Sequence, residues 1–214
     1  MRNLPFNDAT QRGFTLLELM LVITVAAVIL GVAVPNLRQF IWNSRLTAAA
    51  NDLMTAVHTA RTESVKRHAP VVMCFSSTPL AAAPACDGTA TQGWIVFVDD
   101  KNPDVNDATD NNGVLDAGEP VVLRHGPLPN TLSARTKPDG NKGYVGFTSA
   151  GFARKLASVG ESVAGVVVCD SRGNVPLYGP GNSTARGILI SPTGRPRVTR
   201  SVADIADASL GGCP

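Results

Sequence analysis

The sequence predicts an α+β protein. One long amino-terminal helix, membrane-spanning in its first half and amphipathic in its second, packs on a carboxy-terminal antiparallel β domain with two disulfides. Three observations predict this. An apolar run from Phe14 to Pro35 carries one charge, Glu18. Apolar residues then recur at near-helical spacing as far as Val65. Past Pro70 that period gives way to short β-branched and aromatic runs separated by Gly, Pro, Asn and Asp, and all four cysteines lie beyond the apolar run.

The chain has 214 residues, 44% of them apolar, which is enough for one anchor helix and one globular domain of ordinary size. A formal net charge of +2 does not single out an anionic partner. Charged residues make up 17% and aromatic residues 5%, against 20 Gly and 15 Pro, a mix that suits a loop-rich β domain better than a helical bundle. An even count of cysteines (Cys74, Cys86, Cys169 and Cys213) past an anchor points to two disulfides in an oxidising compartment. No C-x-x-C pair is present, which disfavours a zinc or thioredoxin-type site. From spacing alone, all three pairings of four cysteines stay open.

Arg2 and Arg12 outweigh Asp8 ahead of the apolar run, which keeps that end cytoplasmic and sends the rest across. A secretory signal carries its small-residue cleavage site after the apolar core. Here the small residue, Gly13, stands before it, so a cut there would leave the run on the mature protein. Phe14 to Val34 is 21 residues, roughly 31 Å at helical rise, which matches a bilayer. A carboxylate in such a segment costs roughly 2.5–3.5 kcal/mol at its centre. An anchor alone has no use for it. Glu18 therefore implies a chain assembled with partners inside the bilayer.

Gly13-Phe14-Thr15-Leu16-Leu17-Glu18-Leu19, followed by Pro35, resembles the type IV pilin family, which includes the pseudopilins of type II secretion. The resemblance implies that a prepilin peptidase cuts between Gly13 and Phe14 and N-methylates Phe14. It also implies that Glu18 pairs with the terminal amine of a neighbouring subunit, removing a desolvation penalty that a lone chain cannot avoid. Three further stretches, Gly93 to Asp99, Asn112-Gly113 through Asp116 to Glu119, and Ser191 to Arg195, resemble the minor pilins called FimT and the related pseudopilin GspH, FimT most closely. The implied organisation is a cleaved leader at 1–13, a transmembrane and assembly helix at 14–35, an amphipathic helix at 36–68 and a β-rich domain at 69–214. It implies sequential disulfides, Cys74–Cys86 and Cys169–Cys213. The implied partners are other pilins and minor pilins, the prepilin peptidase and the inner membrane, with the globular domain in the periplasm and later on a surface pilus.

Pro35 lacks an N–H for a helical bond, so a kink with the helix continuing is expected there. Beyond it Leu37, Phe40, Ile41, Ala48, Leu53, Val57, Ala60 and Val65 form the expected apolar stripe. Strands are expected at 71–75, 94–98, 121–123, 144–147, 163–169 and 188–190, without interleaved helices, hence antiparallel.

Two regions carry candidate binding chemistry. Asp99 to Glu119 holds seven acidic residues against one lysine. Asp110, Asn112 and Glu119 fall on positions three, five and twelve of a calcium loop, but Ala108 occupies position one. The alternative is a solvated turn joining two strands. Farther on, Arg186, Arg195, Arg197 and Arg200 occur with no acid between Arg172 and Asp204. If Pro196 to Thr199 is extended, Arg195 and Arg197 project to one face, where guanidinium forks suit phosphate oxygens. Gly194-Arg195-Pro196-Arg197 resembles the G-R-x-R tail with which FimT-type pilins of naturally transformable bacteria bind DNA. The resemblance makes Arg195 and Arg197 the phosphate contacts, Gly194 the turn and Arg200 the support. The alternative is an edge strand kept soluble by charge.

No G-x-S-x-G elbow, H-E-x-x-H or phosphate loop occurs, so neither an enzyme nor a cofactor is expected. Two rivals remain: a type II secretion pseudopilin, and a periplasmic enzyme on a signal anchor. The second predicts a mature amino terminus at Met1 where the pilin reading predicts methylated Phe14.

Overall fold

The computed structural model describes residues 13–100, 112–136, 143–155, 163–177, 179, 181–206 and 212–213. It divides into two compact units, Met1–Ile41 and Trp42–Pro214. The helix α1, Leu16–Arg67, contributes to both.

In the first unit α1 is exposed throughout, and its apolar window is long enough to cross a membrane. Thr15 caps it: the Glu18 N–H donates to Thr15 Oγ1 at 3.1 Å, and the Leu19 N–H donates to the Thr15 carbonyl at 3.1 Å. The helix continues through Pro35. Just after the missing N–H, the Asn36 side-chain amide donates to the Val32 carbonyl at 3.1 Å.

In the second unit α1 buries Leu46, Ala49, Ala50, Leu53, Ala56, Val57, Ala60 and Ser64, a run of three- and four-residue steps. The expected stripe is right at Leu53, Val57 and Ala60, but Ala48 and Val65 are exposed, and so are Leu37, Phe40 and Ile41 in the first unit. The contact face is rich in alanine, whose small side chain lets sheets approach closely, and a reading weighted towards large apolar residues places that face wrongly. Lys66 and Arg67 complement the carboxyl end of the helix dipole, and His68 ends the helix with φ 54°.

Nine strands follow among the described residues: β1 Val71–Phe75, β2 Trp94–Val98, β3 Val121–His125, β4 Leu132–Thr136, β5 Tyr144–Phe147, β6 Ala153–Arg154, β7 Gly165–Asp170, β8 Asn182–Ile190 and β9 Pro196–Ser201. A short helix, α2, spans Val202–Ala206. Two antiparallel sheets form, ordered β3-β2-β1-β5-β6 and β4-β7-β8-β9. The expected strands are all present, β8 extends well before residue 188, the segment considered as extended at Pro196 to Thr199 is β9, and β4 and β6 are additional.

Strands β1 and β2 are continuous apolar runs because both of their faces are covered. Met73, Phe75, Trp94 and Val96 join Leu53 and Val57 of α1 in one core, which also takes Val166, Val168 and Ile188 from the second sheet. Val72, Cys74, Ile95, Phe97 and Tyr144 form a second cluster on the outer face of the first sheet. Val167, Cys169, Ala185 and Ile205 form a third on the outer face of the second sheet. Each outer cluster holds one disulfide, Cys74–Cys86 or Cys169–Cys213, which clips a covering segment onto its sheet.

Candidate functional site

The amino-terminal locus is built by helix capping. Gly13 and Phe14 precede the helix, with nothing within 4 Å of a Cβ built on Gly13 and with Phe14 81% exposed. Thr15-Leu16-Leu17-Glu18 has the spacing of a capping box, which places Glu18 on the first turn where free N–H groups and the dipole favour an anion. The T-x-x-E spacing is itself a local sequence signal for a helix start, overlapping the family motif.

The arginine locus is a hairpin. Between β8 and β9 the chain turns at Ser191 to Arg195: the Gly194 N–H donates to the Ser191 carbonyl at 2.8 Å, and the Arg195 N–H donates to Ser191 Oγ at 3.1 Å. Gly194 has φ +74°, and a Cβ there would lie 2.8 Å from Phe147 Cε1 and 2.9 Å from the Gly151 carbonyl oxygen. Both the backbone angle and the close approach require glycine. Arg195 is exposed at the turn. Arg197, with 66% of its side chain exposed, lies 3.6 Å from Asp204 on α2, and Thr199 Oγ1 donates to the same carboxylate at 2.7 Å. The acid that ends the basic run in sequence is therefore folded back beside it. Arg200 is one residue out of phase with Arg197, so alternation turns it to the other face of β9. Its charge bears instead on Arg186, whose pKa falls to about 10, first through burial and then through Arg200 and Arg172. Arg186 is buried and donates to the carbonyls of Thr184 at 2.8 Å and Ala185 at 3.1 Å, which takes it out of any surface patch.

Within the acidic stretch, Asp99 and the described residues 112–119 are tied together by hydrogen bonds. Asp99, fully buried, accepts the N–H groups of Asn112 at 3.1 Å and Gly113 at 2.8 Å. The Asn112 side chain donates to Asp116 at 2.8 Å and accepts the Val114 N–H at 2.6 Å, and Glu119 accepts the Asp116 N–H at 2.8 Å. Asp110 lies outside the described residues. No group of three metal-ligating side chains gathers among the described residues. Burial raises the Asp99 pKa to about 6, against the pull of its two N–H donors and the Arg154 charge. The folded state then holds its proton at a pH where the unfolded chain has lost it. The Asp99 contribution to stability is full below about 4 and lost as pH rises through about 6. Carboxyl NMR of the chain in detergent should show Asp99 titrating near 6, and Asp99→Asn should flatten that part of the stability profile. A midpoint near 4 would contradict the assignment.

His125, at the end of β3, stacks on the buried Trp94 with ring centroids 4.0 Å apart, and its Nε2 lies 3.5 Å from Asp52 on α1. Both neighbours are remote in sequence, so no local pattern announces this contact.

Comparison with known proteins gives four findings. The family model of type II transport protein GspH matches residues 49–194. The model of the prokaryotic N-terminal methylation motif matches residues 8–34. The pilin-like protein PilA1 of Thermus thermophilus is 45% identical over 131 residues, spanning 61% of this chain and 69% of that protein. Among solved structures, the type IV minor pilin FimU of Pseudomonas aeruginosa aligns over 79% of this chain and 98% of its own, at 18% identity and a TM-score of 0.45.

Proposed function

This chain belongs to the family of type II transport protein GspH and is a pilin-like subunit, and we propose that it serves as a minor subunit of a type IV pilus. Pilins and pseudopilins are structural subunits, and we assign this chain no catalytic role. A prepilin peptidase removes residues 1–13 and methylates Phe14. The mature chain rests in the inner membrane through residues 14–35, with its β domain in the periplasm, until it enters a fibre with other pilins. One observation carries the reading: Glu18, on the first turn of a Thr15-capped helix, is the single charge between Gly13 and Pro35. Mass spectrometry of the mature amino terminus tests it. Methylated Phe14 is expected, and an intact Met1 would refute it.

The same subunit captures DNA during uptake through Arg195 and Arg197. Support comes from a glycine-locked hairpin that holds both arginines exposed at one sheet edge. Binding is independent of sequence, and three neutralised phosphates give a log–log salt slope of roughly −2.7 on duplex DNA if Arg200 takes part. The turn of Arg200 away from Arg197 lowers that expectation to two phosphates and a slope of roughly −1.8. Affinity at one patch is weak, and clustering at a pilus tip raises it by avidity. Mobility shifts with the domain from about residue 42 onward test this. An Arg195→Ala, Arg197→Ala double variant should lose binding, and retained binding would remove the site.

A second reading, a type II secretion pseudopilin, is favoured by the GspH match itself. Deletion separates the two: lost twitching or transformation supports the pilus, and lost secretion supports the pseudopilin.

A further inference from the structure

Where the second unit begins, Trp42 and Arg45 of α1 line an open cleft of about 440 Å³, walled also by Leu132, Ser133, Asp170 and Ser171. We propose that this cleft docks anionic phospholipid headgroups on the outer surface of the membrane that anchors the chain, an inference that rests on residues 14–35 spanning a bilayer.

The chemistry of the cleft fits such a partner. The Arg172 guanidinium lies 5.3 Å from the centroid of the Trp42 ring and donates to Asn43 Oδ1 at 3.0 Å. Its Nε and Nη2 hold Asp170, at 2.9 Å and 2.5 Å from Oδ2, which neutralises the one acid of the cleft. Its Nη1 is buried and has no hydrogen-bond partner among the described residues. Arg45 is exposed and forms no ion pair among the described residues. Two cations, Arg172 and Arg45, therefore stand at the cleft against the single carboxylate of Asp170. Trp42 is 37% exposed, and an indole with one wet edge beside guanidinium groups suits the depth of lipid phosphates.

The tether supplies the proximity. Seven residues carry the chain from Pro35 to Trp42, so even fully extended they reach at most about 25 Å. Whatever its orientation, the cleft stays near the bilayer surface while the chain is anchored. The competing occupant is the acidic 99–119 stretch of a second copy, which has the right charge but must arrive by diffusion.

The test uses the full chain reconstituted in vesicles of phosphatidylcholine, alone or mixed with phosphatidylglycerol. Trp42 is the reporter, because Trp94 is fully buried and supplies a constant background. With phosphatidylglycerol, Trp42 emission should shift to shorter wavelength and be quenched by headgroup-attached nitroxide, and high salt should reverse both. Arg45→Gln should lower the ratio of docked to undocked chain about fivefold, the value of one basic residue at such a surface. Equal quenching in the two lipids, or an unchanged Arg45→Gln profile, overturns the proposal. Trp42 protection that grows with protein density and ignores lipid charge assigns the cleft to a second copy, and overturns it too. Alkaline extraction of the same vesicles reports separately whether the helix spans.

Discussion

Glu18→Leu should abolish entry of this chain into fibres while leaving it firmly in the membrane. The carboxylate opposes insertion by roughly 2.5–3.5 kcal/mol at a bilayer centre, so replacing it with leucine makes the anchor better, and a loss of assembly cannot be blamed on failed insertion. In the fibre, the proposed partner of Glu18 is the methylated amine of a neighbouring Phe14. Removing one member of a buried ion pair leaves the other uncompensated and costs about 3–5 kcal/mol, on the order of a hundredfold or more in the assembly equilibrium. Glu18→Gln keeps the shape and the helix cap while removing the charge, and should fail to nearly the same degree. The measurement is the ratio of this chain in sheared fibres to that in membranes. If both variants enter fibres as readily as the parent, the proposed role of Glu18 is wrong.

Opening the Cys169–Cys213 bridge should cost the β domain more than opening Cys74–Cys86. The bonded pairs are 44 and 12 residues apart. Chain-entropy arguments then give about 4 kcal/mol for the longer closure and about 3 kcal/mol for the shorter. Position adds to length. Cys213 is joined to β7 on the outer face of the second sheet, where Val167, Ala185 and Ile205 of α2 are buried together. With that clip gone, α2 keeps its packing and the hydrogen bonds of Val202 and Asp204, but Ile205 loses the covalent tie that closes its cluster. A Cys169→Ala, Cys213→Ala variant should therefore unfold at lower denaturant than a Cys74→Ala, Cys86→Ala variant. Equal midpoints for the two double-alanine variants would contradict this ordering.

Much of the fold is legible in the sequence, for physical reasons that differ by element. A long apolar run has only one stable form in lipid, so α1 follows from composition and length. Strands β1, β2, β5 and β7 are dense in β-branched and aromatic residues because they are covered on both faces, and such runs announce themselves. Strands β4 and β9, Leu132–Thr136 and Pro196–Ser201, lie at sheet edges and carry arginine, serine and threonine, so their sequences resemble loops. The first half of β8, Asn182 to Arg186, escapes for a similar reason: small polar residues are buried there and satisfied within the fold.

The sites divide along the same line. Features written in adjacent residues, such as Gly13-Phe14, the Thr15–Glu18 spacing, Pro35 and the glycine ahead of Arg195, depend on local backbone chemistry and can be read directly from the chain. Features made by residues far apart cannot. Burial of Arg186 and the cleft joining Trp42 to Asp170 need the assembled domain, the stack of His125 on Trp94 needs β2 paired with β3, and the return of Asp204 to Arg197 needs α2 folded against β9. Short-range order is encoded by neighbours along the backbone, whereas the charge each arginine finally meets is set by which strands lie side by side.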